Sequence, residues 1–77
     1  MRTALFDSLK IGDRAEIIFG GGMEGRAIGV VIRKDKHVTD FTIKIERDFY
    51  DSLSRRRHLK DSELICHAKE LKAIISP

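Results

Sequence analysis

The chain carries a single cysteine, Cys66. One cysteine cannot build a disulfide framework, and a lone thiol fits a reducing compartment. Long apolar runs are also missing. The longest, such as Ala27 to Ile32, fall well short of the roughly 20 residues of a helical membrane span, so no membrane partner is expected. The opening MRTALFDSLK has neither a long apolar segment nor a small-residue cleavage site, which argues against a secretion signal and predicts a cytoplasmic location. No internal repeat, low-complexity tract or linker divides the sequence. Charge of one sign is scarce too: 15 Lys and Arg are scattered among 12 Asp and Glu, a formal net charge of +3. That mild excess permits an anionic partner without demanding one.

What remains is enough for one domain spanning residues 1–77, near the lower limit for a core without a staple. With 42% hydrophobic and 35% charged residues, the composition is that of an ordinary globular chain. Leu5, Phe6, Leu9 and Ile11 form an apolar lead-in that ends at the turn dipeptide Gly12-Asp13. In Arg14 to Phe19, Ala15, Ile17 and Phe19 alternate with Arg14 and Glu16, the period of a half-buried strand; Ile18 breaks it and marks a bulge or a two-sided position. The stretch RAIGVVIRK reads as a second strand, with Ile28, Val30 and Ile32 on one face and Gly29, Val31 and Arg33 on the other; Val31 is expected to be exposed. Residues 34–40 read as a polar turn. Phe41, Ile43 and Ile45 then alternate inward against Thr42, Lys44 and Glu46 outward, the clearest alternation in the chain. Asp48 to Ser54 reads as a loop and Arg55 to Leu59 as a short strand. Toward the end, Leu64, Ala68, Leu71 and Ile75 recur at amphipathic helical spacing from an N-cap candidate at Ser62. Leu64 to His67 reads equally as a last strand followed by a helical tail.

The stretch IIFGGGMEG, Ile17 to Gly25, contains the literal pattern G-x-G-x-x-G behind an apolar run. A dinucleotide fingerprint works only where the glycines turn into a helix whose amino terminus meets the pyrophosphate. Here Gly25 leads into a segment with a further glycine and three consecutive β-branched residues, all poor helix formers. No Gly-Lys-Ser or Gly-Lys-Thr follows to make a P-loop. Four glycines within six residues serve better as a sharp reversal between antiparallel strands. No dinucleotide, and no other cofactor, is expected.

Gly12-Asp13-x-Ala15-x-Ile17, a glycine loop, Gly25-x-x-x-Gly29-Val30-Val31-Ile32 and then Phe41-Thr42-Ile43-Lys44-Ile45 resembles the opening of SH3-like small β-barrels. His58 to Leu64 is similar to the short turn before the final strand of such barrels. Gly21 and Gly25 match the first glycine pair of the KOW module of ribosomal and transcription-elongation proteins, while Gly29 falls one place beyond the next glycine of that pattern. The resemblance, over about residues 9 to 67, implies a mainly all-β fold. That fold is a five-stranded antiparallel SH3-like barrel, with residues 68–77 as a short C-terminal helix or tail. It also implies an interaction module that binds RNA or protein. Plasmid-type dihydrofolate reductases share the architecture, but their Val-Gln-Ile-Tyr motif has no counterpart here. Gly22-Met23-Glu24-Gly25 is similar to the variable chain of ferredoxin–thioredoxin reductase, a non-catalytic supporting subunit.

The strongest polar cluster is Arg55-Arg56-Arg57-His58 with Lys60 beyond; a second runs Arg33-Lys34-Asp35-Lys36-His37. Loops from both regions would share a rim in an SH3-like barrel, bringing Arg33, Lys34, Lys36, Arg55, Arg56, Arg57 and Lys60 together. Guanidinium groups pair bidentately with phosphates, so the rim is the candidate nucleic-acid surface. The competing reading is a solvated charged face with Asp48, Asp51 and Asp61 as local partners, whose exposed pairs contribute little. Phe49 and Tyr50 supply the only plausible stacking platform, or else a lid on the barrel; Phe19 and Phe41 read as core. One cysteine with His37, His58 and His67 lacks the paired spacing of a zinc site. Cys66 and His67, adjacent on a strand, point to opposite faces and cannot form a nucleophile–base pair. The expected protein is therefore non-catalytic, without a metal. It binds nucleic acid or, in the alternative, acts as an accessory subunit that self-associates through Val31, Leu71, Ile74 and Ile75.

Overall fold

The computed structural model describes residues 3–19, 25–51 and 55–75. The described residues open with a short helix, α1 (Thr3–Ser8). Seven strands follow among them: β1 (Arg14–Phe19), β2 (Gly25–Asp35), β3 (Asp40–Ile45), β4 (Phe49–Asp51), β5 (Arg56–His58), β6 (Glu63–His67) and β7 (Leu71–Ile75). A single 3₁₀ turn, Ala68–Glu70, joins β6 to β7. Five strands form one antiparallel sheet in the order β6-β3-β2-β1-β7, and β4 and β5 pair separately as a hairpin. The chain is thus mainly β, as the alternations at Ala15/Ile17 and Phe41/Ile43/Ile45 predict.

The sheet is curled. Laid flat, five strands at about 4.8 Å per step would place β6 and β7 about 19 Å apart. Only the 3₁₀ turn separates these two edges in sequence, and four residue steps reach at most about 14 Å even when extended. The sheet must therefore bend round its inner face. That face carries the core: Ala15 and Ile17 from β1, Ala27 and Val31 from β2, Phe41, Ile43 and Ile45 from β3, Cys66 from β6 and Leu71 from β7. The apolar lead-in closes it from one end, with Phe6 and Leu9 buried and the Phe6 ring tilted against Phe41 at 6.2 Å between centroids. Gly12 makes the entry into β1, at φ +100 and with its N–H donating to the Val31 carbonyl at 2.8 Å. This is a conformation that a side chain resists.

The glycine loop, residues 20–24, lies outside the described residues. On either side of it β1 and β2 are antiparallel, with Phe19 opposite Gly25. The element after the glycines is an eleven-residue strand, so the G-x-G-x-x-G pattern lacks the helix on which pyrophosphate binding depends.

Four expectations are corrected. Val31 is not exposed: it is 1% accessible and faces the core with Ala27 and Gly29, while Ile28, Val30 and Ile32 are half-buried on the other face. The reason is crowding. β2 lies between β1 and β3, and at Gly29 a Cβ would come within 2.6 Å of the Lys44 carbonyl oxygen, so the small residues occupy the tight side. The tail expected as helix is the 3₁₀ turn followed by β7, which pairs with β1 from Arg14↔Ile75 to Ile17↔Leu71, with a register shift between Glu16 and Ile17. Leu71 is buried as core, so neither it nor Val31 is available for self-association; Ile74 packs against the same cluster. Part of the expected loop at Asp48–Ser54 is strand β4; residues 52–54 are outside the described residues. Thr42, expected outward, is nonetheless buried in the row Arg33, Thr42 and Ile65.

Across the outer face, Arg14 Nε and Nη2 donate to Glu46 Oε2 and Oε1 at 2.7 and 2.9 Å, tying the start of β1 to the end of β3. The hydrogen bond from Arg14 holds the Glu46 carboxyl below the usual carboxylate range, and the same bond raises the Arg14 guanidinium. A depressed carboxyl stabilises the fold at pH above its unfolded value, and that contribution disappears as pH falls through the folded value. The effect is modest, since both groups are partly solvated. Urea unfolding over a pH series should therefore show wild type more stable than Glu46→Gln at neutral pH, the two curves converging in acid; curves that stay parallel would contradict the linkage.

Candidate nucleic-acid interface

The β4–β5 hairpin positions the arginine run. It leaves the sheet just after Ile45 and returns before Glu63, and its base is closed by the Lys60 N–H donating to Asp48 Oδ1 at 2.7 Å. Within it Phe49 lies opposite His58, Tyr50 opposite Arg57 and Asp51 opposite Arg56. Strand alternation then sorts the residues. Phe49 and His58 share one face, their rings stacked at 4.7 Å and 17°, and Phe49 packs on the core cluster. Tyr50 and Arg57 share the opposite, solvent face, and Tyr50 is 57% accessible. Asp48, Phe49, Tyr50 and Arg57 line a shallow depression there.

Arg55, Arg56 and Arg57 are exposed, and no ion pair joins them to any described side chain; that of Asp51, opposite Arg56, lies outside the described side chains. Arg55 sits at φ 56, turning the chain into β5. Lys60 is exposed at the base of the hairpin. Arg47, exposed on the other side of that base, belongs with them. Sequence reasoning missed it because its neighbours Glu46 and Asp48 cancel its charge in the run ERD; the signal lies in Glu46 being committed to Arg14.

The second basic run is elsewhere. Lys34 is opposite Phe41 and Asp35 opposite Asp40, at the start of β3, whereas the hairpin departs from its far end. Six strand residues separate the two by roughly 15–20 Å. The structure therefore does not gather Arg33, Lys34 and Lys36 with Arg55, Arg56, Arg57 and Lys60 on one rim. Two of the three are also engaged. Arg33 is ion-paired with Glu63 across the sheet. The Lys34 ammonium donates to the Leu9 carbonyl at 2.8 Å and stands 4.6 Å over the Phe6 ring. Lys36 is exposed in the β2–β3 turn. A separate groove of about 630 Å³ opens there, and Arg33, Lys36, Val38, Thr42 and Ile65 are among its lining residues.

The remaining candidate groups separate as well. Cys66 is buried and His67 exposed on opposite faces of β6. Burial, reinforced by Glu70 and Asp40, pushes the Cys66 thiol up, so it stays protonated and weakly nucleophilic at neutral pH. No three histidine, cysteine or carboxylate side chains gather to hold a metal ion among the described residues. No described helix is long and apolar enough to cross a membrane. No protein-family model matches the chain, and no curated protein or solved structure matches it either.

Proposed function

We propose that the protein is a non-catalytic module that binds single-stranded nucleic acid through the β4–β5 hairpin, on a curled sheet of the SH3-like barrel type. The barrel reading is supported by the antiparallel meander β1-β2-β3-β6 and by a last strand that returns, after a 3₁₀ turn, to pair with the first. The functional reading rests on one observation. Three consecutive exposed arginines run into and along the strand beside an exposed tyrosine ring, and the one directly opposite Tyr50, Arg57, shares its solvent face without an acidic partner among the described side chains. Guanidinium groups hold phosphates, and an exposed ring gives an unpaired base a face on which to stack. A duplex, whose bases are already stacked, gains only the phosphate contacts. Arg47 and Lys60 continue the cationic strip along the hairpin's base.

Titration of a fluorescent oligonucleotide, as single-stranded RNA, single-stranded DNA and duplex, tests this. Three phosphate contacts to a single strand give a log–log salt slope of about −2, so affinity falls on the order of tenfold between about 50 and about 200 mM salt. Arg55→Ala/Arg56→Ala/Arg57→Ala is expected to remove that slope, and Tyr50→Ala to weaken single-strand binding by about tenfold or more while leaving the slope. Absence of binding to any oligonucleotide at low salt, or a triple variant with unchanged affinity and slope, would overturn the proposal.

A further inference from the structure

We infer that the open edge of β6 pairs, antiparallel and about a two-fold axis at Ile65, with β6 of a second copy of this chain. β6 is the last strand on its side of the sheet, and among the described residues no strand lies beyond it. At the sheet's other edge, by contrast, α1 packs against β7. Edge strands are usually blunted by charge or proline at their centre; the centre of β6 is Leu64-Ile65-Cys66, with Ile65 73% accessible.

The backbone is set for such pairing. The Ala68 N–H donates to the Thr39 carbonyl and the Ile45 N–H to the Ser62 carbonyl. Because antiparallel hydrogen-bonded pairs recur at every second residue, Leu64 and Cys66 direct their N–H and C=O groups toward β3. Glu63, Ile65 and His67 direct theirs to the open edge. With the axis at Ile65, the two Ile65 residues exchange both bonds and each Glu63 N–H meets the His67 carbonyl of the second copy. The His67 N–H is already satisfied by Glu70 Oε1 at 2.8 Å and need not move.

Charge selects this register. It places Glu63, ion-paired with Arg33 of its own sheet, opposite His67 of the second copy, and the two exposed Ile65 side chains opposite one another. A shift of the axis to Glu63 sets carboxylate against carboxylate, and a shift to His67 sets imidazole against imidazole with Ile65 opposite Lys69. The first juxtaposes like charges, which is unfavourable, and the second gives up the Ile65–Ile65 contact. Val38, 55% accessible, lines the same groove as Ile65 from the β2–β3 turn. None of these residues belongs to the hairpin, so this association goes beyond the nucleic-acid reading and stands or falls separately from it.

Sedimentation equilibrium on the full chain without nucleic acid is expected to show a reversible monomer–dimer equilibrium. Ile65→Lys should raise the dimer dissociation constant by about tenfold or more, since two ammonium groups would then face each other, with an unchanged circular dichroism spectrum. If Ile65→Lys does not fold, hydrogen exchange on the wild type decides: the Ile65 amide gains protection as concentration rises. A wild-type chain monomeric at all concentrations would leave this edge to a strand from another protein and overturn the proposal. So would a dimer indifferent to Ile65→Lys, or an Ile65 amide whose exchange is independent of concentration.

Discussion

Gly29→Ala is expected to destabilise the protein by about 2–3 kcal/mol, the range for overpacking at a site that cannot relax cheaply. In a domain of this size that is a fall in melting temperature of roughly 10–20 °C. The methyl group would sit 2.6 Å from the Lys44 carbonyl oxygen, 3.0 Å from its carbon and 3.1 Å from the Ile43 Cβ. Two of those atoms are backbone in β3, so no side chain can swing aside to make room. Gly29 is also opposite Ala15 on one side and Ile45 on the other. Any outward movement of β3 strains the β2–β3 ladder, and any inward movement of β2 strains β1. Gly12 offers the contrast: a Cβ there meets nothing within 4 Å, but φ +100 is costly for an L-residue, so Gly12→Ala should lose about 1–2 kcal/mol through backbone strain alone. Urea midpoints for the two variants check the ranking. A Gly29→Ala protein as stable as wild type would mean that β2 and β3 are not in close approach.

The same crowding explains why part of the fold was legible in the sequence and part was not. Phe41, Ile43 and Ile45 alternate with polar residues, and such a strand declares its inner face. Ala27 to Ile32 is apolar throughout, and a run of that kind in a central strand carries no face signal. The choice of Ala27, Gly29 and Val31 as the inner set depends on the Lys44 backbone, which no local pattern contains. At the carboxyl end the spacing of Leu64, Ala68, Leu71 and Ile75 mimics a helix because the 3₁₀ turn resets the strand phase between β6 and β7. Glu70 bonds back to the His67 N–H and Lys69 N–H to His67 Nδ1, which fixes that turn. The unpaired edge of β1 then decides in favour of strand, a long-range term that outweighs local propensity. The arginine run was legible as charge. Its separation from Arg33, Lys34 and Lys36 was not, because it follows from the register of β3 and from the hairpin leaving at Ile45. Likewise the diversion of Lys34 to the Leu9 carbonyl depends on where α1 ends.

Deleting residues 71–77 is expected to unfold the protein rather than trim it. β7 supplies Leu71, 1% accessible, to the core and Ile74 to its margin, and it occupies the free edge of β1 over Arg14 to Ile17. Truncating a buried leucine alone costs about 2–5 kcal/mol, and a single-core domain of this length has only about 3–5 kcal/mol in total. Losing the whole strand also leaves backbone groups of β1 without partners beside buried Ala15 and Ile17. Two consequences follow that a mere extension would not produce. The truncated chain should lack a cooperative thermal transition, and Leu71→Ala in the full chain should retain one at a midpoint lowered by roughly 10 °C or more. A truncated chain that still unfolds cooperatively near the wild-type temperature would show that the sheet is complete without β7, and the curl of the sheet from edge to edge would then have to be abandoned as the source of its stability.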